Sequence, residues 1–221
     1  LHHLGKTKIG SCINSIISDK DGNIWIGSDE GLNIITTNND TLSYDTYNRI
    51  QCIYQDHTGT VWLGTYFDGL YSLASGSNVH KLSFKTYNSK NKLLVADEIM
   101  CIYEDKMGNL WIGTNGGGLN RYNREKDNFT HFTIENGLPD DQIYSLVCDN
   151  NGLLWMGTNH GLCRFNPSDY SCKNFTVKDG IQNYEYNTGA ALKLKDGTLL
   201  FGGVSGFNII DPNKIENKKS T

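Results

Sequence analysis

The chain has 221 residues, enough for one or two domains, and its net charge of −4 with no basic stripe argues against a nucleic-acid partner. Hydrophobic residues at 38% and aromatics at 11% allow a packed core, while no apolar run reaches the roughly 18 residues of a spanning helix. The chain starts at Leu1 without a signal or targeting segment, so it reads as an internal piece of something longer.

In chain order, Leu1–Leu4 is predicted to be an outer strand belonging either to a preceding repeat or to the last one. From Asp19 the stretch DKDGNIWIGSDEGLNII gives two short strands and the two turns that serve them. The first turn carries Gly22, which suits the left-handed dihedrals of a tight turn, and the apolar, aromatic run after it favours a strand. The unit returns as DHTGTVWLGTYFDGLYSL from Asp56, DKMGNLWIGTNGGGLNRYN from Asp105, DNNGLLWMGTNHGLCRF from Asp149 and KLKDGTLLFGGVSGFNII from Lys193. The turn glycines Gly22, Gly59, Gly108, Gly152 and Gly197 are spaced by 37, 49, 44 and 45 residues. Three residues after each stands Trp25, Trp62, Trp111, Trp155 and, in the last copy, Leu200. Five after each stands Gly27, Gly64, Gly113, Gly157 and Gly202. All four tryptophans therefore share one repeat position, which establishes the periodicity.

Upstream of each unit lies another strand, CINSIISD, RIQCIYQD, EIMCIYED, QIYSLVCD and, more loosely, NTGAALKL. Seven residues before the turn glycine the residue is always small (Ser15, Cys52, Cys101, Ser145, Ala190), which predicts crowding. Nine before it stands Ile13, Ile50, Ile99 or Ile143, with Thr188 in the last copy. Downstream comes an amphipathic fourth segment, such as Asn128–Phe132 or Lys173–Val177. A long polar connection, Lys85 to Asp97, follows the second copy, and the Pro212 turn stops the pattern.

Four strands per repeat of roughly 40–50 residues is the pattern of an all-β propeller with four-stranded antiparallel blades. Five blades are predicted, at about 5–47, 48–84, 85–132, 133–177 and 178–212, before a polar tail over 213–221. The fifth lacks a clear outer strand of its own. The tryptophans are expected to pack between neighbouring blades and not to form a row for stacking sugars. Cys52 and Cys101 occupy the small position as space-fillers, whereas Cys163 and Cys172 flank a hairpin that would admit a cross-strand disulfide. No cysteine pair has zinc-type C-x2-C spacing.

The units NLWIGTNGGGLNRYN and LLWMGTNHGLCRFNP closely resemble the two-component regulator propeller repeat. FTIENGLPDDQIYSLVCDNNG resembles that family's inter-blade segment, and GIQNYEYNTGAALKLKDGTLLFGGVSGFNIIDPNKI its last blade, ahead of an immunoglobulin-like domain. The resemblance covers nearly the whole chain. It implies the periplasmic sensor region of a Bacteroides-type hybrid two-component histidine kinase that responds to oligosaccharides from polysaccharide breakdown. It further implies the last five blades of a seven-bladed propeller, expected here as an open arc. The implied partners are a neighbouring propeller, an immunoglobulin-like module and a second copy of the chain. A related propeller, virginiamycin-B lyase, is an enzyme, which keeps a second reading open: a lyase or glycosidase with an active site in a central funnel.

In a propeller the turns between the second and third strands share a face with the connections between blades, and loops on a rigid scaffold concentrate function. The turns present Asp29–Glu30, Tyr66–Phe67–Asp68, Asn115, Asn159–His160 and Ser205. The connections present Asp140–Asp141–Gln142 and Tyr184–Glu185–Tyr186–Asn187. Tyrosine faces beside carboxylates and amides suit sugars. The candidate ligand residues are therefore Tyr184, Glu185, Tyr186, Asn187, Tyr66, Asp68, Asn115, Asn159 and His160, although solvated turns favour the same residue types. Two carboxylates roughly 5–9.5 Å apart can hydrolyse glycosides, yet Asp29, Glu30, Asp68 and Glu185 show no repeated or catalytic spacing. Asp19, Asp56, Asp105 and Asp149, three residues before each turn glycine, are expected to accept hydrogen bonds from turn amides. No Ser-His-Asp, HExxH or nucleotide-binding glycine motif occurs, so no catalytic residue, metal ligand or cofactor is predicted.

Overall fold

The computed structural model describes residues 12–44 and 48–215. The strand expected at Leu1–Leu4 and the tail beyond Ile215 lie outside the described residues. The repeated sequence units become repeated sheets. The first holds, in order, β1 (Ile13–Ser18), β2 (Ile24–Ser28), β3 (Gly31–Ile35) and β4 (Thr41–Tyr44). The second holds β5 (Ile50–Gln55), β6 (Val61–Thr65), β7 (Leu70–Leu73) and β8 (Lys85–Tyr87). The third holds β9 (Ile99–Glu104), β10 (Leu110–Thr114), β11 (Leu119–Asn123) and β12 (Asn128–Phe132). The fourth holds β13 (Ile143–Cys148), β14 (Leu154–Thr158), β15 (Gly161–Phe165) and β16 (Cys172–Phe175). The fifth has three strands, β17 (Tyr186–Lys193), β18 (Leu199–Gly203) and β19 (Gly206–Ile210). No helix among the described residues is long and apolar enough to cross a membrane.

One boundary moves. The connection expected from Lys85 begins as a strand: Lys85–Tyr87 pairs with β7 and completes the second sheet. A three-residue strand is too short to show alternation, and only Tyr87 turns inward, 2% exposed.

The two glycine columns serve different physical needs. Gly22, Gly59, Gly108, Gly152 and Gly197 have φ of +79 to +91°, a backbone state that L side chains resist. Gly27, Gly64 and Gly157 are there for space. A Cβ on Gly64 would stand 2.5 Å from Cys52 Sγ and 2.7 Å from Ile99 Cγ2, and one on Gly157 would stand 2.8 Å from Ser145 Oγ. The register places Ser15 opposite Gly27, Cys52 opposite Gly64 and Ser145 opposite Gly157. The predicted crowding is thus a small residue facing a glycine, with the next inner strand closing over both.

The chain divides into two compact units, Leu1–Ile112 with Arg121–Phe129, and Gly113–Asn120 with Thr130–Thr221. The division passes through the third sheet. In the first unit Trp25 packs with Ile34, Ile50, Leu63 and Tyr71, and Trp62 packs with Tyr87, Ile99, Leu110 and Phe129. In the second, Trp155 packs with Tyr186, Leu199 and Phe201. These three indoles bridge successive sheets, as the repeat predicted. Each buries about 200 Å² and contributes up to about 5 kcal/mol at ~25 cal/mol per Å².

No disulfide joins any of the six cysteines, all of which lie among the described residues. The hairpin that would admit a disulfide pairs Cys163 with Asn174 and Cys172 with Phe165, so the two cysteines are staggered by two residues. Interaction between the two thiols, together with burial, raises the Cys163 thiol, and the same interaction lowers that of Cys172.

Candidate functional site

The two ends of the strands are built differently. At one end, the turn between the first and second strands is closed in the first four sheets by an aspartate and a tryptophan six residues apart. Asp149 Oδ1 accepts the backbone N–H of Asn151 at 2.8 Å and of Leu153 at 3.0 Å, while Oδ2 accepts Trp155 Nε1 at 2.9 Å. The indole bonds Trp25–Asp19, Trp62–Asp56 and Trp111–Asp105 are each 2.8 Å. Burial works to raise the Asp19 and Asp56 carboxyls, but the hydrogen bonds outweigh it and hold both below the usual carboxylate value. The last copy has Leu194 and Leu200 at these two positions, so carboxylate and indole are lost together. Asp56 is further tied to Arg124 Nη1 at 2.9 Å, whose Nη2 reaches Glu104 Oε1 at 2.8 Å. This end is committed to holding turns.

The other end carries the candidate ligand residues. Its turns are tied to the segments that lead into inner strands: Tyr66 N–H donates to Arg49 O at 3.0 Å, and Gly69 N–H to Asp97 O at 2.8 Å. Likewise Gly116 and Gly118 N–H donate to Asp141 O, and Gly161 N–H donates to Tyr184 O at 2.7 Å. These bonds turn flexible loops into a defined rim.

In the first unit, Tyr66 meets Phe67 edge-on, ring centroids 4.5 Å apart, and Phe67 is 69% exposed. The Arg49 guanidinium lies 5.3 Å from the Tyr66 centroid. Asp68 is occupied internally: it accepts Tyr71 Oη at 2.8 Å, Asn88 Nδ2 at 3.3 Å and Lys90 Nζ at 3.3 Å. Burial first, then this carboxylate, pushes the Tyr71 phenol up to about 12.

In the second unit, the ring of exposed His160 lies tilted against half-buried Tyr184, centroids 5.0 Å apart. Asn159, Glu185 and Asn187 are exposed. Asn115 forms an isolated bridge with Gln142. Tyr186 corrects the sequence reading. It is 1% exposed, sits in the core with Trp155, and donates its hydroxyl to Asn208 Oδ1 at 2.7 Å, so its ring face cannot meet a ligand. Tyr186, the first residue of β17, turns into the core while its neighbours Glu185 and Asn187 face solvent.

Sequence reasoning missed Arg49 and Asn14, whose side chains meet at the first unit's rim. The signal was present: the residue just before the repeated isoleucine varies as Cys12, Arg49, Glu98 and Gln142, with Asn187 in the last copy. A varying position on an invariant frame is where individual blades differ in chemistry. Among the described residues, no group of three or more His, Cys, Asp or Glu is placed to hold a metal ion.

Successive antiparallel sheets with this turn chemistry define a β-propeller repeat protein. More particularly, the chain belongs to the two-component regulator propeller family, whose repeat matches residues 7–30, 45–67, 94–116 and 137–160. A curated relative is histidine kinase P4 of Formosa agariphila, 28% identical over 211 residues that make up 89% of this chain and 15% of that protein. A similar solved structure is the extracellular domain assigned to a hybrid two component system of B. thetaiotaomicron, with TM-score 0.71 and 18% identity, over 93% of this chain and 34% of that one. Another is a catalytically inactive virginiamycin B lyase from Staphylococcus aureus with quinupristin, with TM-score 0.68 and 16% identity, over 91% of this chain and 67% of that one. At such identities the structural likeness establishes the fold. The chain spans only a small part of the length of the histidine kinase it matches.

Proposed function

We propose that the chain is a non-catalytic, extracytoplasmic ligand-binding module of a two-component sensor histidine kinase, responding in the periplasm to oligosaccharides released from polysaccharides. The observation that carries this reading is the match of four successive blades to the regulator propeller repeat. The relative's name and the extracellular origin of a structural neighbour support it. The rim of each unit suits a saccharide: in the first, exposed or half-exposed Tyr66 and Phe67 offer ring faces, and in the second His160 and Tyr184 do so, with Glu185, Asn159 and Asn187 as polar neighbours. Ligand would act by biasing the packing of the propeller against further modules of the parent protein, two packings that differ in kinase geometry.

A thermal-shift screen against oligosaccharides tests the proposal. A ligand at a hundredfold excess over its Kd adds about 2.7 kcal/mol, which raises Tm by about 5–10 °C in a chain of this size. The expected result is a rise with at least one glycan that chromatography recovers intact. Turnover of a glycan would instead support a propeller lyase or glycosidase, the reading favoured by the fold likeness to virginiamycin B lyase.

A further inference from the structure

Two buried side-chain atoms of the first unit have no hydrogen-bond partner among the described residues. They are Arg49 Nε and Gln51 Oε1, on either side of the fully buried Ile50. Buried polar atoms are nearly always paired, so two orphans on one short stretch call for an explanation. Gln51 sits where the β5–β6 register slips between Ile50 and Cys52, as the first and fourth sheets do at the equivalent positions.

Arg49 is held for use. Asn14 donates Nδ2 to Ile50 O at 3.1 Å, which turns its Oδ1 toward Arg49 Nη2 at 3.3 Å. Tyr66 lies under the guanidinium, and its N–H is anchored to Arg49 O. Among the described residues no carboxylate stands within ion-pair distance of Arg49. Arg124 is the contrast, with both of its terminal nitrogens committed to carboxylates. A positioned guanidinium with no carboxylate beside it among the described residues is a fork that matches a planar carboxylate or a sulfate. Phe67, 69% exposed and edge-on to Tyr66, adds an apolar face beside it.

Resting on the saccharide reading above, we propose that Arg49, Tyr66 and Phe67 form a subsite for an acidic sugar. The sugar's carboxylate or sulfate lies on Arg49, and the pyranose ring lies against Phe67. Specificity follows because a neutral sugar leaves the Arg49 donor unanswered.

Calorimetry on the whole chain tests this with tetragalacturonate, its carboxyl-reduced neutral counterpart and a sulfated galactan tetrasaccharide. At least one acidic probe is expected to bind tighter than the neutral one by about tenfold or more. Which acidic probe wins decides between carboxylate and sulfate. Arg49→Gln should abolish the difference, Arg49→Lys should retain only part of it, and added salt should weaken acidic binding alone. Equal affinity for neutral and acidic probes, or an unchanged preference in Arg49→Gln, overturns the acidic subsite while leaving the saccharide reading in place. No binding by any probe overturns both. Should Arg49→Gln fail to fold, the probe comparison on the unaltered chain decides, together with Phe67→Ala, expected to weaken the acidic probes.

Discussion

Replacing Asp149 by Asn tests whether the repeated aspartate is a structural lock. The carboxylate is 0% exposed and accepts three hydrogen bonds, two on Oδ1 and one on Oδ2. Asparagine keeps the Oδ1 acceptor but turns an NH2 toward the Trp155 indole N–H, donor against donor. The two amide bonds lose their charge assistance, about 0.5–1 kcal/mol each, and the orphaned indole N–H costs about 1–3 kcal/mol, so the sum is about 2–5 kcal/mol. Trp155→Phe removes the indole donor, so the double variant should recover about 1–2 kcal/mol of that loss. Urea unfolding followed by circular dichroism, on the wild type and all three variants, gives the cycle. Additivity within about 0.5 kcal/mol would show that carboxylate and indole do not interact, and would refute the lock.

The two glycine columns should fail differently. Gly152→Asn should be mild because asparagine tolerates a positive φ and nothing lies within 4 Å of the site, whereas Gly157→Ala should cost about 1–3 kcal/mol by overpacking against Ser145 and Tyr186, as read from urea midpoints. Tyr186→Phe should cost about 1 kcal/mol and leave saccharide binding unchanged, while Tyr184→Ala should weaken binding at little cost in stability; calorimetry and melting curves separate the two. Asp19 and Asp56 are held below the ordinary value of 3.8, so their contribution is complete above it and is lost as pH falls through the lower folded values. Unfolding midpoints should therefore be flat from about pH 7 to 5 and decline below about pH 4, less steeply in Asp56→Asn.

The parts of this fold that were readable are those imposed on single residues by local geometry. A turn needing positive φ selects Gly22, and a strand crossing too close for a Cβ selects Gly27, so both columns show in the sequence. The indoles were readable as core because a large aromatic recurs at one strand position. Their bond to the aspartates was missed, although a six-residue spacing in four copies, and the joint change to Leu194 and Leu200 in the fifth, encodes it. Lys85–Tyr87 and Tyr186 were misjudged for one reason: a short strand or a strand's first residue has no alternation to reveal its inward side. Arg49 escaped notice because its meaning lies in what surrounds it, Asn14 from another strand and an aromatic turn, which no window of sequence contains.

The carboxylate–indole clasp joins residues only six apart, within a single blade. A tandem duplication of the gene segment would therefore deliver each new blade with its hinge already fastened, needing no matching change elsewhere. Length can grow by copying, while the rim of each copy stays free to drift toward a different ligand.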